Sequence, residues 1–155
     1  MVLCYLFSNE YLIILRNNLD VMAISTSKAG RIAIIGASGY GGLQLVKLIN
    51  EHPNFEISTL NGERSVGKSW NKINPFIKLL GDKEITKCNI EQIAHDSDYA
   101  ILSLPNGLSS QLTPLLLEKG IKVIDLSADY RFKSLDKWKK VYSKEAAKYQ
   151  RYDYE

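Results

Sequence analysis

Gly36-Ala37-Ser38-Gly39-Tyr40-Gly41-Gly42 stands between a run of isoleucines and a stretch of helix formers, its glycines spaced G-x-x-G-x-x-G. A diphosphate is held by backbone N–H groups at close approach and by the positive end of a helix dipole. A side chain at Gly36 or Gly39 would block that approach or the tight turn, and a small residue at Gly42 lets a helix lie close on a sheet. Ser38 adds a hydroxyl donor for a phosphate oxygen. Such glycines alone mark many plain loops. Directly between a strand and an amphipathic helix, they point to nucleotide binding.

Which nucleotide depends on the end of the next strand, where an acid favours a free ribose 2′-hydroxyl and a base a 2′-phosphate. Glu63 stands where the acid would be, but Arg64, Ser65 and Lys68 follow and could cradle a phosphate. The signals conflict, with a slight lean to the 2′-phosphate. Further on, Leu104-Pro105-Asn106-Gly107 closes another strand at the same expected sheet edge. There Asn106 either caps the following helix or faces a cofactor. Asp125-Leu126-Ser127-Ala128-Asp129-Tyr130-Arg131 ends the last strand with polar residues straight after buried ones, a position that often carries function. The alternative is a surface ion pair between Asp129 and Arg131.

Other chemistry finds no support. Cys4 and Cys88 are far apart and carry no metal-ligand spacing, so neither a disulfide framework nor a metal site is expected. Cys88 reads as a small buried hydrophobe. His95 precedes Asp96-Ser97-Asp98, a turn composition, and reads as a surface residue rather than a base.

The elements that must position these residues follow from the pattern. Residues 31–35 read as a buried strand, 41–50 as a helix with Leu45, Leu48 and Ile49 on one face, and 55–60 as a second strand. The stretch from Glu63 to Asp82 is irregular, broken by Gly67, Pro75 and Gly81. Residues 85–88 suit an edge strand, 90–94 a short helix, 99–104 a buried strand and 123–126 the next one. Leu108, Leu112, Leu115 and Leu116 form a helical stripe that ends at Lys119-Gly120. Strand and helix alternating in this way predict an α/β fold, a Rossmann-like, doubly wound parallel sheet.

The chain has 155 residues, a net charge of +3, 45% hydrophobic and 24% charged residues, as a globular domain has. The lysines at 133, 137, 139 and 140 read as a solvated helix face, and no aromatic-plus-basic pattern suggests nucleic acid. Residues 2–15 are apolar, but Glu10 interrupts them, no basic region precedes them, and the run is too short to span a bilayer. Residues 1–30 are therefore expected to be a disordered extension, with Met22 as the natural start. Residues 31–143 form the domain, and 144–155 the frayed start of a further segment.

From about Arg31 to about Tyr142 the sequence resembles the N-acetyl-gamma-glutamyl-phosphate reductases. The resemblance rests on GASGYGG, His52-Pro53, Arg64-Ser65-Val66-Gly67-Lys68, Leu104-Pro105-Asn106-Gly107 and above all Val123-Ile124-Asp125-Leu126-Ser127-Ala128-Asp129-Tyr130-Arg131. Aspartate-semialdehyde dehydrogenase shares the glycine loop but fits the Ser127-Ala128-Asp129 string poorly. Asn106 stands where many members carry a histidine. The resemblance implies an NADPH-dependent enzyme of arginine biosynthesis, cytoplasmic and homo-oligomeric at full length, acting on a small acyl phosphate. It implies that Gly36, Ala37, Ser38, Gly39, Tyr40, Gly41 and Gly42 contact the NADP diphosphate. Arg64, Ser65 and Lys68 would lie near the 2′-phosphate, Pro105, Asn106 and Gly107 near the nicotinamide, and Arg131 against a substrate oxyanion. The family's nucleophile lies in a later Pro-Gly-Cys-Tyr segment and its histidine base later still. Neither occurs in these residues, so no catalytic residue is assigned and the chain is expected to stop before the catalytic α+β domain. A stand-alone nucleotide-binding module is the other reading.

Overall fold

A computed structural model describes residues 29–79 and 81–142, together with the backbone of Cys4–Phe7 and Glu10–Ile13. Within the extension expected to be disordered, β1 (Cys4–Phe7) pairs antiparallel with β2 (Glu10–Ile13) in register Phe7↔Glu10. Aromatic residues favour such a pairing. Met22 and the segment from residue 143 onward lie outside the described residues.

The domain proper alternates strand and helix: β3 (Gly30–Ile35), α1 (Tyr40–Asn50), β4 (Phe55–Asn61), α2 (Trp70–Ile73), β5 (Ile85–Thr86), α3 (Ile90–Asp96), β6 (Tyr99–Leu102), α4 (Ser109–Glu118), β7 (Lys122–Asp125) and α5 (Leu135–Tyr142). Its five strands form a sheet in the order β5-β4-β3-β6-β7, every neighbouring pair parallel. The chain winds outward from β3 to one edge, returns to the middle, and winds to the other. The order reverses between β3 and β6, and in open α/β sheets ligands bind outside the carboxyl ends of the strands at such a point.

Both faces of the sheet are covered because β3 is apolar at every inward position. Ile32 and Ile34 pack with Val46 of α1, Leu60, Ile85 and Trp70 on one side. Ala33 and Ile35 pack with Ile93 of α3, Leu102 and Leu116 of α4 on the other. Alternate side chains of a strand point to opposite faces, so a continuous apolar run is what a doubly covered strand needs.

Three expectations change. Leu48 is exposed, and α1 buries Gly42 and Val46 instead. The predicted α4 stripe is rotated: Leu108 and Leu115 are exposed, while Ser109, Thr113 and Leu116 face inward. Short side chains let the helix approach the sheet closely, a tertiary demand that hydrophobic periodicity does not encode. The irregular stretch holds the short helix α2, whose Trp70 is fully buried and donates from Nε1 to the Ile77 carbonyl at 2.7 Å. Among the described residues no helix is long and apolar enough to cross a membrane.

Candidate nucleotide-binding site

The chain leaves β3 at Ile35 and turns at Gly36, whose φ of 89° lies in the left-handed region. A Cβ at Gly36 would also overlap the carbonyl oxygen of Ser103, so only glycine suits this position. The Gly36 and Ala37 amides both donate to the Asn61 carbonyl at 2.9 Å, tying the turn to the end of β4. Gly39 closes the loop by donating to the Gly36 carbonyl at 3.1 Å and stands at the N-cap of α1. Gly42 lies against the turn itself, where a Cβ would come within 2.6 Å of the Ala37 Cα. These contacts explain Gly36 and Gly42 by packing alone.

Gly39 is different. Its φ of −80° suits any residue, and a Cβ there would meet only the Gly36 carbonyl, at 3.4 Å. The protein's own atoms do not require glycine here. The first helical bond runs from Leu43 N to the Gly39 carbonyl, and α1 has neither a side-chain cap nor an acid in its first turn. The amides of Tyr40, Gly41 and Gly42 therefore carry the unneutralised positive end of the helix dipole at the sheet's carboxyl edge.

Two neighbouring loops border this turn. A Cβ at Gly62 would approach Ser38 Oγ to 3.0 Å, so the exposed Ser38 stands beside the end of β4. Beyond it, the Lys68 amide donates to the Ser65 carbonyl at 3.1 Å, and Gly67 N to the Ile85 carbonyl at 2.8 Å. This pins the 63–68 turn to β5. Arg64 and Lys68 are exposed there, and no hydrogen bond or ion pair with a described residue holds either head group. On the other side, Ser103 Oγ lies 2.6 Å from where a Gly41 Cβ would be, so the exit of β6 packs on the start of α1. Pro105 and Asn106 are exposed and Gly107 is buried.

The loop after β7 does not hold the surface pair between Asp129 and Arg131. Asp129 is 3% exposed and makes no ion pair with Arg131. Its Oδ1 accepts from Gly107 N at 2.7 Å and its Oδ2 from Ser110 N at 2.9 Å. Asp129 thus supplies the carboxylate at the start of α4, where Leu108 is the N-cap and gives no side-chain bond. Asn106 is not the cap, because its Oδ1 instead accepts from Ala128 N at 3.2 Å. Arg131 points to α5: its Nη1 donates to the Tyr142 hydroxyl at 2.8 Å, and the guanidinium lies 5.8 Å from that ring's centre. Trp138 of α5 is buried and donates to the Ala128 carbonyl at 2.6 Å.

The structure therefore gathers the glycine turn, the 63–68 turn and the Pro105–Gly107 loop along one sheet edge, with the Asp125–Arg131 loop knitted to the last of them. Asn61, Ser103, Trp138 and Tyr142 shape this edge and were not singled out in the sequence. Asn61 follows directly on the strand read over residues 55–60, Trp138 lies among the lysines that read as a solvated helix face, and Tyr142 follows them. Elsewhere, Cys88 is half-buried, and burial followed by the Glu63 charge pushes its thiol up. His95 is exposed and bonded to Asp96 at 2.7 Å. Among the described residues no group of three His, Cys, Asp or Glu converges as a metal site would.

Comparison with known proteins places this architecture. The family described as "Semialdehyde dehydrogenase, NAD binding domain" matches residues 31–149. The N-acetyl-gamma-glutamyl-phosphate reductase of Prochlorococcus marinus strain NATL2A is 86% identical over 134 residues, which are 86% of this chain and 37% of that protein. The enzyme of the same name from strain MIT 9211 is 53% identical over 132 residues, 85% of this chain and again 37% of the relative. The chain thus spans little more than a third of the length of these relatives. The solved aspartate semialdehyde dehydrogenase with NADP from Candida albicans shares the fold, with a TM-score of 0.58 at 24% identity over 66% of this chain and 31% of that one. The chain belongs to the semialdehyde dehydrogenase family, through its NAD-binding domain.

Proposed function

We propose that the chain is the NADP-binding portion of an N-acetyl-gamma-glutamyl-phosphate reductase, a cytoplasmic enzyme that reduces an acyl phosphate to the semialdehyde. The observation that carries this reading is the bare start of α1 behind Gly39, a glycine that no neighbouring protein atom demands. A diphosphate lying over that position explains it, because a side chain there would stand between the phosphates and the amides. The 86% identity to a reductase of that name supplies the substrate class.

On this reading the Tyr40, Gly41 and Gly42 amides bind the diphosphate and Ser38 adds its hydroxyl. Arg64 and Lys68, unpaired among the described residues, take the 2′-phosphate with Ser65 between them, outweighing Glu63. Pro105, Asn106 and Gly107 border the nicotinamide half of the crevice. Arg131, steered by Tyr142, offers a fork of donors suited to a phosphate or carboxylate. NADPH, when bound, supplies a hydride. Among the described residues Cys88 does not serve as the nucleophile, since burial and the Glu63 charge push its thiol up and the thiolate is the reactive species. The chain alone binds cofactor without turning it over.

Titrating the 155-residue chain with NADPH and NADH by fluorescence tests this. Saturable binding with preference for NADPH is expected; binding of neither nucleotide would refute the proposal. Acyl-phosphate reduction by the isolated chain would show that the nucleophile has been misassigned.

A further inference from the structure

We infer that Asp129 is a positioning residue for the nicotinamide half of the crevice, resting on the nucleotide reading above. The loop that leaves β6 and the loop that leaves β7 are bound to each other from both sides. Asp129 accepts from Gly107 N and Ser110 N, and Asn106 accepts in return from Ala128 N, one residue before Asp129. The carboxylate is itself fixed. Ser127 Oγ accepts from Asp129 N at 3.0 Å and donates to Asp125 Oδ2 at 2.8 Å, so the turn that presents Asp129 is braced from the last residue of β7.

The placement matters because the two halves of such a sheet serve different ends of a dinucleotide. The turn after β4 is where the adenosine ribose is recognised, and the β6 side receives the other mononucleotide. Asp129 touches only the β6 side. It fixes the Gly107 backbone between two exposed residues, Pro105 and Asn106, and the start of α4. It also lies two residues before Arg131, so one buried carboxylate ties the cofactor loop to the loop that carries the oxyanion ligand. Ordinary helix capping would need only the Ser110 bond. The second bond, to Gly107, reaches out of the helix into the loop.

Asp129→Asn is nearly isosteric but turns an NH2 group toward one of the two amides. The test compares NADPH with 2′,5′-ADP, which carries the adenosine half and no nicotinamide, on the 155-residue chain and its variants. The expected result is NADPH binding weakened about tenfold, the effect of one charge-assisted hydrogen bond, with 2′,5′-ADP binding unchanged. A general loss of structure would weaken both ligands alike, and that outcome overturns the inference, as does unchanged NADPH binding. Should Asp129→Asn fail to fold, Ser127→Ala loosens the same turn while leaving the carboxylate in place, and carries the same test. It is expected to weaken NADPH about threefold with 2′,5′-ADP unaffected, and equal effects on the two ligands overturn the inference. A parent chain that binds neither ligand would overturn the nucleotide reading, and this inference with it.

Discussion

The Asp129 carboxylate and the Gly107 amide, 22 residues apart in sequence, meet at 2.7 Å in a buried hydrogen bond between the loops that follow β6 and β7. The same carboxylate takes the Ser110 amide at 2.9 Å. Truncation of Asp129 to alanine leaves two buried N–H groups without acceptors and a cavity beside them. A buried donor without its partner costs about 1–3 kcal/mol, so Asp129→Ala is expected to destabilise the domain by about 3 kcal/mol. Urea unfolding of the two proteins measures it. A midpoint unchanged from the parent would mean that water replaces the carboxylate freely and the site is not closed.

The two glycines of the first turn separate packing from ligand approach. Gly36 has a φ of 89° and faces the Ser103 carbonyl, so Gly36→Ala meets both backbone strain and overlap. Its cost is expected to be about 3 kcal/mol or more, seen as a lowered melting temperature. Gly39→Ala meets neither obstacle, because φ is −80° and the nearest atom is 3.4 Å away. That variant is expected to keep its stability within about 0.5 kcal/mol and to lose NADPH binding by about tenfold or more. Equal loss of stability in both variants would contradict the division of roles.

The strand-turn-helix core was legible in the sequence because its signals are local. Consecutive isoleucines mark a strand covered on both faces, and the glycines that end it sit where the backbone must bend. The phase of α4 was not legible, since Ser109 and Thr113 are polar by type and buried by position. The partners of Asp129, Asn106 and Arg131 were not legible either. Each lies on a different element, and Asp129 two residues before Arg131 suggests an ion pair, whereas Asp129 is taken by the Gly107 and Ser110 amides and Arg131 by the Tyr142 hydroxyl. Trp138 and Tyr142 fall among lysines, whose charges mark the outer face of α5 and hide its inner one.

At the opposite edge of the sheet, Asp98 accepts from the Arg31 amide at 2.8 Å and from the Arg31 guanidinium at 3.2 and 3.3 Å. Hydrogen bonding to Arg31 holds the Asp98 carboxyl below the usual carboxylate range. A folded pKa below the unfolded one means that this carboxylate stabilises the fold fully above about pH 4, and that the contribution is lost as pH falls through the folded value. Both side chains are largely exposed, so the effect is modest and screened by salt. Asp98→Asn is expected to flatten the acid side of the stability curve below the ordinary carboxylate range, with the neutral-pH midpoint only slightly lowered. Thermal melts between pH 3 and 7 test it, and an acid limb as steep in the variant as in the parent would assign the pH dependence to other carboxylates.

Cofactor choice turns on the charge at the 63–68 turn. Arg64 and Lys68 are exposed and unpaired within the described residues, while Glu63 exerts its field on Cys88. A 2′-phosphate placed between two cations gains charge-assisted hydrogen bonds that a 2′-hydroxyl does not, each worth about 1.5–3 kcal/mol at its best and less when solvent reaches it. Arg64→Ala and Lys68→Ala are each expected to weaken NADPH by about five- to tenfold and to leave NADH nearly unchanged. Lowering the ionic strength should widen the preference of the parent chain and scarcely alter that of the double variant, since the preference is electrostatic. A double variant that still binds NADPH much more tightly than NADH would move recognition of the 2′-phosphate to another part of the edge, with Ser38 beside Gly62 the nearest remaining donor.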